Sequence, residues 1–155
     1  MEMFQKAGID ALPAVSKNEH EGYAHIRRKF VPIRPDGQCT VSVYELPPGN
    51  SMCPYHYHLQ NEEVFYIISG TGRLLTPQGE QTVTAGDLLF FPANENGAHK
   101  LTNSSETEPL RYLDFDTSNA IDVAVYPHSG KMGVWGKDVN KLYRMNDTAA
   151  YYDGE

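Results

Sequence analysis

The chain has 155 residues, 40% of them hydrophobic and 21% charged, with a formal net charge of −7 and a pI of about 5.3. That length supplies one compact domain with a real core, and the acidic balance argues against a nucleic-acid binder. No apolar run approaches the ~18 residues of a membrane-spanning helix, and "MEMFQKAGIDALPAV" lacks the pattern of a secretion signal, so the expected location is the cytoplasm.

In chain order, residues 1–22 read as an N-terminal arm with a short helical turn. Runs rich in Val, Ile, Tyr, Phe and Leu then alternate with Gly, Pro and Asn. Strands are expected at 23–30, 39–46, 53–58, 63–68, 71–76, 80–84, 87–91, 98–102 and 110–115. The segments "RPDGQ", "PPGN", "SGTG", "TPQGE", "TAGD" and "PANENG" supply the turns between them. Many short strands at regular spacing indicate an all-β sandwich or barrel. The barrel is expected over about 23–126, with 127–155 as a peripheral tail. Within that tail "KMGVWG" has strand character, as does "IDVAVYP" just before it. Cys39 and Cys53 are too few for a disulfide framework and read as reduced thiols.

Two of the six histidines, His56 and His58, stand one residue apart in "MCPYHYHLQNEEVFYIISG". On a strand, side chains at i and i+2 share a face. On a helix the same spacing would point them nearly opposite ways. Two imidazoles converging on an apolar interior need partners, and a divalent metal uses the lone pair of each neutral ring. Glu63 opens the next strand and can return to the same point. His99, in "NGAHKLTN", follows the apolar run "GDLLFFP". Three imidazoles and a carboxylate suit Mn, Fe, Co, Ni or Zn with positions open to water or substrate. On strand parity, Cys53 should face away from this point. His20, His25 and His128 read as peripheral.

The combined spacing resembles the cupin superfamily, in particular its small single-domain bacterial members. The family's first motif, G-x5-6-H-x-H-x3-4-E-x6-G, is matched by Gly49, His56, His58, Glu63 and Gly70. Its second motif, G-x5-P-x-G-x2-H-x3-N, is matched by Gly86 and Pro92, and again by His99 and Asn103. Asn94 stands where that motif has its glycine, and the loop from Pro92 to His99 is two residues longer. The resemblance implies a double-stranded β-helix of jelly-roll type. It also implies one divalent metal per chain (Mn, Fe, Ni, Co or Zn) on His56, His58, Glu63 and His99.

The function so implied is a metalloenzyme on a small oxygenated molecule, of the isomerase, decarboxylase, lyase or dioxygenase class. The alternative is a non-enzymatic binder or sensor of a small ligand; a structural storage role fits a single small domain poorly. Candidate proton-transfer groups are Tyr44, Tyr66 and Tyr112, and candidate anion-holding groups are Arg73 and Arg111. Open sheet edges and the N-terminal arm suggest a homodimer, with Trp135 and the tail tyrosines over one barrel end or a partner subunit. No nucleic-acid or membrane partner is expected.

Overall fold

The computed structural model describes residues 3–155. Its strands are β1 (Ala14–Lys17), β2 (His25–Val31), β3 (Cys39–Leu46), β4 (Tyr57–His58), β5 (Glu63–Ser69), β6 (Thr71–Thr76), β7 (Gly79–Thr84), β8 (Leu88–Phe91), β9 (Lys100–Asn103), β10 (Leu110–Thr117), β11 (Ile121–Tyr126), β12 (Lys131–Gly136) and β13 (Asn140–Arg144). Short 3-10 turns at Ile9–Ala11, Glu95–Gly97 and Pro127–Ser129 are its helical elements. A six-stranded sheet runs β1-β2-β3-β10-β5-β8, a four-stranded sheet β13-β12-β11-β4 and a three-stranded sheet β7-β6-β9. This is the expected all-β, double-stranded β-helix architecture.

Register explains where the polar cup lies. In β3, β10 and β5 the residues two apart share the inner face. Tyr44 pairs with Tyr112, Ser42 with Asp114 and Thr40 with Asp116. On the other side of β10, Phe65 pairs with Asp114 and Glu63 with Asp116. Along these strands the inner face therefore changes character. At one end Leu46, Ile67 and Leu110 are fully buried and meet Leu74, Val83 and Leu101 in the apolar core. At the other end the inward residues are Thr40, Ser42, Glu63, Asp114 and Asp116. Burial of each large aliphatic side chain contributes about 1.5–3 kcal/mol, and this plug carries the cost of the polar end.

Two glycines set the corners that shape the cup. Gly70 turns β5 into β6 at φ +89°, and a Cβ there would lie 2.5 Å from the Pro109 carbonyl oxygen. Gly97 ends the turn after Pro92, and a Cβ there would lie 2.0 Å from the Pro92 oxygen. The longer loop folds its residues Glu95–Gly97 into a 3-10 turn, capped by Asn94, whose Oδ1 accepts from the Asn96 N–H at 2.8 Å. Gly97, rather than Asn94, thus makes the close approach to Pro92.

Three expected elements differ. The strand expected at 53–58 contracts to Tyr57–His58, because Pro54 lacks an N–H and residues 52–55 bend. His56 joins the sheet system through an isolated bridge to His99. The arm contains β1, paired along its length with β2, and the tail contains β13, paired with β12. Both strands are wholly exposed, so neither shows the apolar alternation that marks a strand in sequence.

Candidate metal centre

His56, His58, Glu63 and His99 converge from three segments of the fold. The four groups are held close without forming ordinary hydrogen bonds to one another. Glu63 Oε2 lies 3.4 Å from His99 Nε2 and 4.0 Å from His56 Nε2, while Oε1 lies 3.7 Å from His58 Nε2. The His56 ring centroid is 5.0 Å from that of His58 and 4.8 Å from that of His99. Side-chain exposure is 1% for His99, 5% for His56, 7% for Glu63 and 17% for His58, so the cup opens on the His58 side.

The other ring nitrogen of each histidine is committed elsewhere. His56 Nδ1 lies 3.0 Å from the Pro54 carbonyl oxygen, and His99 Nδ1 lies 2.9 Å from that of Gly97. A carbonyl oxygen only accepts, so both Nδ1 atoms carry the proton. His58 Nδ1 donates to Asp122 Oδ2, whose partner oxygen accepts from the Gln60 and Asn61 N–H groups at 3.0 and 3.2 Å. His56 and His99 are thereby fixed with the Nε2 lone pair towards Glu63, and Asp122 orients the His58 ring so that its Nε2 lies on the same side. His99 Nε2 is fully buried and has no hydrogen-bond partner. Leaving such a group unsatisfied costs about 1–3 kcal/mol. An orphaned acceptor beside two further lone pairs and a carboxylate fits a cation.

Burial and neighbouring charges act differently on the four groups. Burial, reinforced by His58, lowers His56 to a pKa of about 4, so its ring is neutral at pH 7. Burial, with His56 beside it, holds His99 well below the ordinary value. Burial also lifts Glu63 to about 8, against the lowering effect of His58. For His58 burial works downward, but Asp122 and Glu63 outweigh it and the pKa rises. Burial opposes ionisation of Asp122, yet the hydrogen bonds from His58, Asn61 and Gln60 hold it below the usual carboxylate range.

A second group adjoins the first. Glu63, Asp114 and Asp116 bring carboxylate oxygens within 4.8 Å of one another. Asp116 Oδ2 accepts from Thr40 Oγ1 at 3.0 Å. Burial, then repulsion from Asp116 and Glu63, raises Asp114 well above its ordinary value. Burial and like-charge repulsion thus keep protons on Asp114 and Glu63, directly beside the histidines. Tyr126 stacks on His56 at 5.7 Å, and burial raises its hydroxyl to about 12.

The candidate tyrosines and arginines separate. Tyr44 and Tyr112 are buried on the inner face and stack at 5.4 Å. Tyr66 lies on the outer face, 42% exposed. Arg73 is exposed and pairs with Glu80 at 3.6 Å. Arg111 donates to Asp10 at 2.7 Å and lies 3.5 Å from Glu45. Asp114, Asp116 and Asp122 are the groups that sequence reasoning passed over. The signal for two of them was present: Tyr112, Asp114 and Asp116 follow at i, i+2 and i+4, which puts them on one strand face.

Cys53 departs from the parity expectation. Because residues 52–55 bend instead of continuing a strand, its Sγ lies 3.5 Å from His56 Nδ1. Burial pushes its thiol well up, so it stays protonated. Both cysteines are free. His25 also departs from expectation: it is half-buried and meets the Tyr44 ring edge-on at 5.5 Å. His128 is exposed and stacks on Tyr55 at 4.5 Å.

Residues 42–116 match the family model for the cupin domain. The chain is a cupin-domain protein. Nearly the whole cupin superimposes on two solved structures. One is a candidate sugar phosphate isomerase of Acidithiobacillus ferrooxidans, at a TM-score of 0.79 and 24% identity, with 92% of this chain and 91% of that one covered. The other is a cupin-superfamily sugar phosphate isomerase of Silicibacter pomeroyi, also at 0.79, with 20% identity and 96% and 98% covered. At these identities the likeness is one of fold. Among curated proteins, a candidate oxalate decarboxylase of Arthroderma benhamiae is 36% identical over 90 residues. The match covers 54% of this cupin and 22% of that relative, so the chain spans about a fifth of that protein's length.

Proposed function

We propose that this cupin is a metal-dependent enzyme acting on a small oxygenated molecule, with one divalent transition metal held by His56, His58, Glu63 and His99. The observation that carries this reading is the convergence of three Nε2 atoms on a buried glutamate, with His99 Nε2 left without a partner. A metal on such a donor set supplies Lewis acidity and an open position for an oxygen ligand. The protein's own contribution is threefold. Asp122 and the carbonyls of Pro54 and Gly97 orient the rings, the apolar plug excludes water from below, and Asp114 holds a proton beside Glu63.

That last feature favours an enzyme over a passive binder. A cup built only to retain a ligand needs no store of protons next to its donors. Names borne by similar proteins supply the classes to screen first, namely isomerisation of sugar phosphates and decarboxylation of small dicarboxylic acids. One fold hosts many chemistries, so the site must decide between them.

The test is metal content by elemental mass spectrometry, on protein purified without chelator or added metal. The expected result is near one equivalent of Mn, Fe, Co, Ni or Zn per chain, lost in a His58→Ala variant that keeps its β-sheet circular dichroism. Retention of the same metal by that variant would remove this site from consideration. Assembly belongs to the same proposal: Tyr66, Leu88 and Phe90 are exposed on the outer face of β5 and the open edge strand β8, which supports a homodimer through that edge. Light scattering of the native protein should give twice the chain mass, and Leu88→Glu should halve it. The free cysteines are in keeping with a reducing, cytoplasmic location.

A further inference from the structure

A second concavity lies on the same inner sheet face, beyond Tyr44 from the histidines. It has a volume of about 580 Å³ and is walled by β1, β2 and the segments beside them. None of the four proposed metal donors lines it. Its position follows from register: Arg27 pairs with Tyr44, Val15 with Arg27 and Lys17 with His25. The inward residues of β1 and β2 therefore continue the row that carries Tyr44 and Tyr112.

The charge of this pocket runs against that of the molecule. The chain carries −7 overall, yet Lys17, Arg27 and Lys29 all line the cavity, with Glu19 as the acidic residue among its lining. None of the three cations makes an ion pair with a carboxylate among the described residues. Arg27 donates from Nε to Ser42 Oγ at 3.0 Å and lies over the Tyr44 ring at 5.3 Å. Its guanidinium is thus held in place by contacts that are not ion pairs, although its charge is felt by the buried Asp114 carboxyl. Burial lowers the pKa of His25, and the positive charges of Lys17 and Arg27 lower it further, against a raising contact from the Tyr23 backbone. Like charges gathered in a concavity repel one another, and low-dielectric walls focus their field. Val15, Met52 and the Tyr44 ring add apolar surface beside these cations.

We propose that this pocket binds a small organic anion, a phosphate monoester or carboxylate, with its charged group on Lys17, Arg27 and Lys29 and its body against Tyr44, Val15 and Met52. Arginine matches the planar, two-pronged geometry of either group, and lysine adds a compact charge. The volume accommodates a single-ring molecule with its anionic substituent. The site does not depend on metal at the histidine cluster, and its test separates the two.

The experiment is calorimetric titration of metal-stripped protein with phenyl phosphate and with benzoate, using benzyl alcohol as the uncharged control. Saturable binding of one or both anions and none of the alcohol is expected, weakening as NaCl is raised. The two anions distinguish a phosphate preference from a carboxylate preference. Arg27→Gln should weaken binding about tenfold or more. If Arg27→Gln does not fold, the double variant Lys17→Gln/Lys29→Gln serves, since both lysines are exposed; it should weaken binding several-fold. Arg73→Gln and His58→Ala should bind like the parent. The proposal is overturned if the alcohol binds as well as the anions. It is equally overturned if the pocket variants bind unchanged, or if His58→Ala abolishes binding, which would place the anion at the histidine cluster.

Discussion

Each of the three site histidines uses its Nδ1 proton to fix the ring and keeps Nε2 for the centre. Two of these anchors are backbone carbonyls, of Pro54 and Gly97. The third is Asp122, a side chain, and it is therefore the point where orientation can be tested. Asp122→Asn keeps the shape but removes the charge that makes the His58 ring a stronger donor to metal. Affinity should fall about 10–100-fold, measured by competition with a chromophoric chelator, while the fold remains. Unchanged affinity would mean that His58 is held by packing alone.

Glu63 gives a second residue-level prediction, for protein stripped of metal. Its pKa of about 8 in the fold lies above the ordinary glutamate value of 4.5. The native state then binds more protons than the unfolded state between those values, so this group's contribution is full below about 4.5 and is lost as pH rises through about 8. His56, at about 4 against 6.5, works the other way: its contribution is present above 6.5 and lost as pH falls towards 4. Glu63→Gln removes only the first effect. The metal-free variant should be more stable than the metal-free parent at pH 8.5, by an amount on the order of a few kcal/mol, and the gap should close by pH 5. Urea midpoints at the two pH values read this directly, and a gap that widens towards pH 5 would contradict the sign.

At the scale of elements, the decisive piece is the loop from Pro92 to His99. Gly97 sits against the Pro92 carbonyl, and its own carbonyl receives the His99 proton. A methyl group there would meet backbone at 2.0 Å, so the loop must move and take the His99 anchor with it. Gly97→Ala should destabilise the protein by roughly 2 kcal/mol or more and lower metal affinity, whereas Ala98→Gly should leave affinity near that of the parent. Equal affinity in Gly97→Ala and the parent would show that His99 does not rely on this turn.

The same loop shows what sequence can and cannot convey. The positions of His99 and Asn103 were legible by spacing. Asn103 donates from Nδ2 to the Leu46 and Glu108 carbonyls at 2.8 and 2.9 Å, which explains why an amide suits that place. That Gly97 would take the close contact was not legible, because it depends on where two added residues fold. Runs rich in Val, Ile, Tyr, Phe and Leu between turn segments located β3, β5 and β10, whose inner faces are buried. No such run marks β1 or β13, whose residues are all exposed, and strand parity misplaced Cys53 because Pro54 breaks the strand. Asp122 escaped notice because its partner His58 is 64 residues away in the chain.

For the whole molecule, the donors matter for where they come from. His58 belongs to β4 of the four-stranded sheet, Glu63 opens β5 of the six-stranded sheet, and His99 directly precedes β9 of the three-stranded sheet. His56 is tied to His99 by the bridge. A metal on these four groups would fasten all three sheets at the polar end of the barrel, where the apolar plug does not reach. The unfolded chain has no such convergence, so binding adds to folding stability by mass action. At a free metal concentration about a thousand times Kd the gain is about 4 kcal/mol, which for a domain of this size is a rise in Tm of roughly 8–16 °C. Differential scanning calorimetry of stripped and reloaded protein should show this rise as a shift of the whole transition, since the metal would join sheets that otherwise share one core. His58→Ala should flatten the response, because it removes the four-stranded sheet's donor. A rise of the same size in that variant would place the stabilising metal elsewhere, and a rise confined to an early minor transition would mean that the sheets unfold separately.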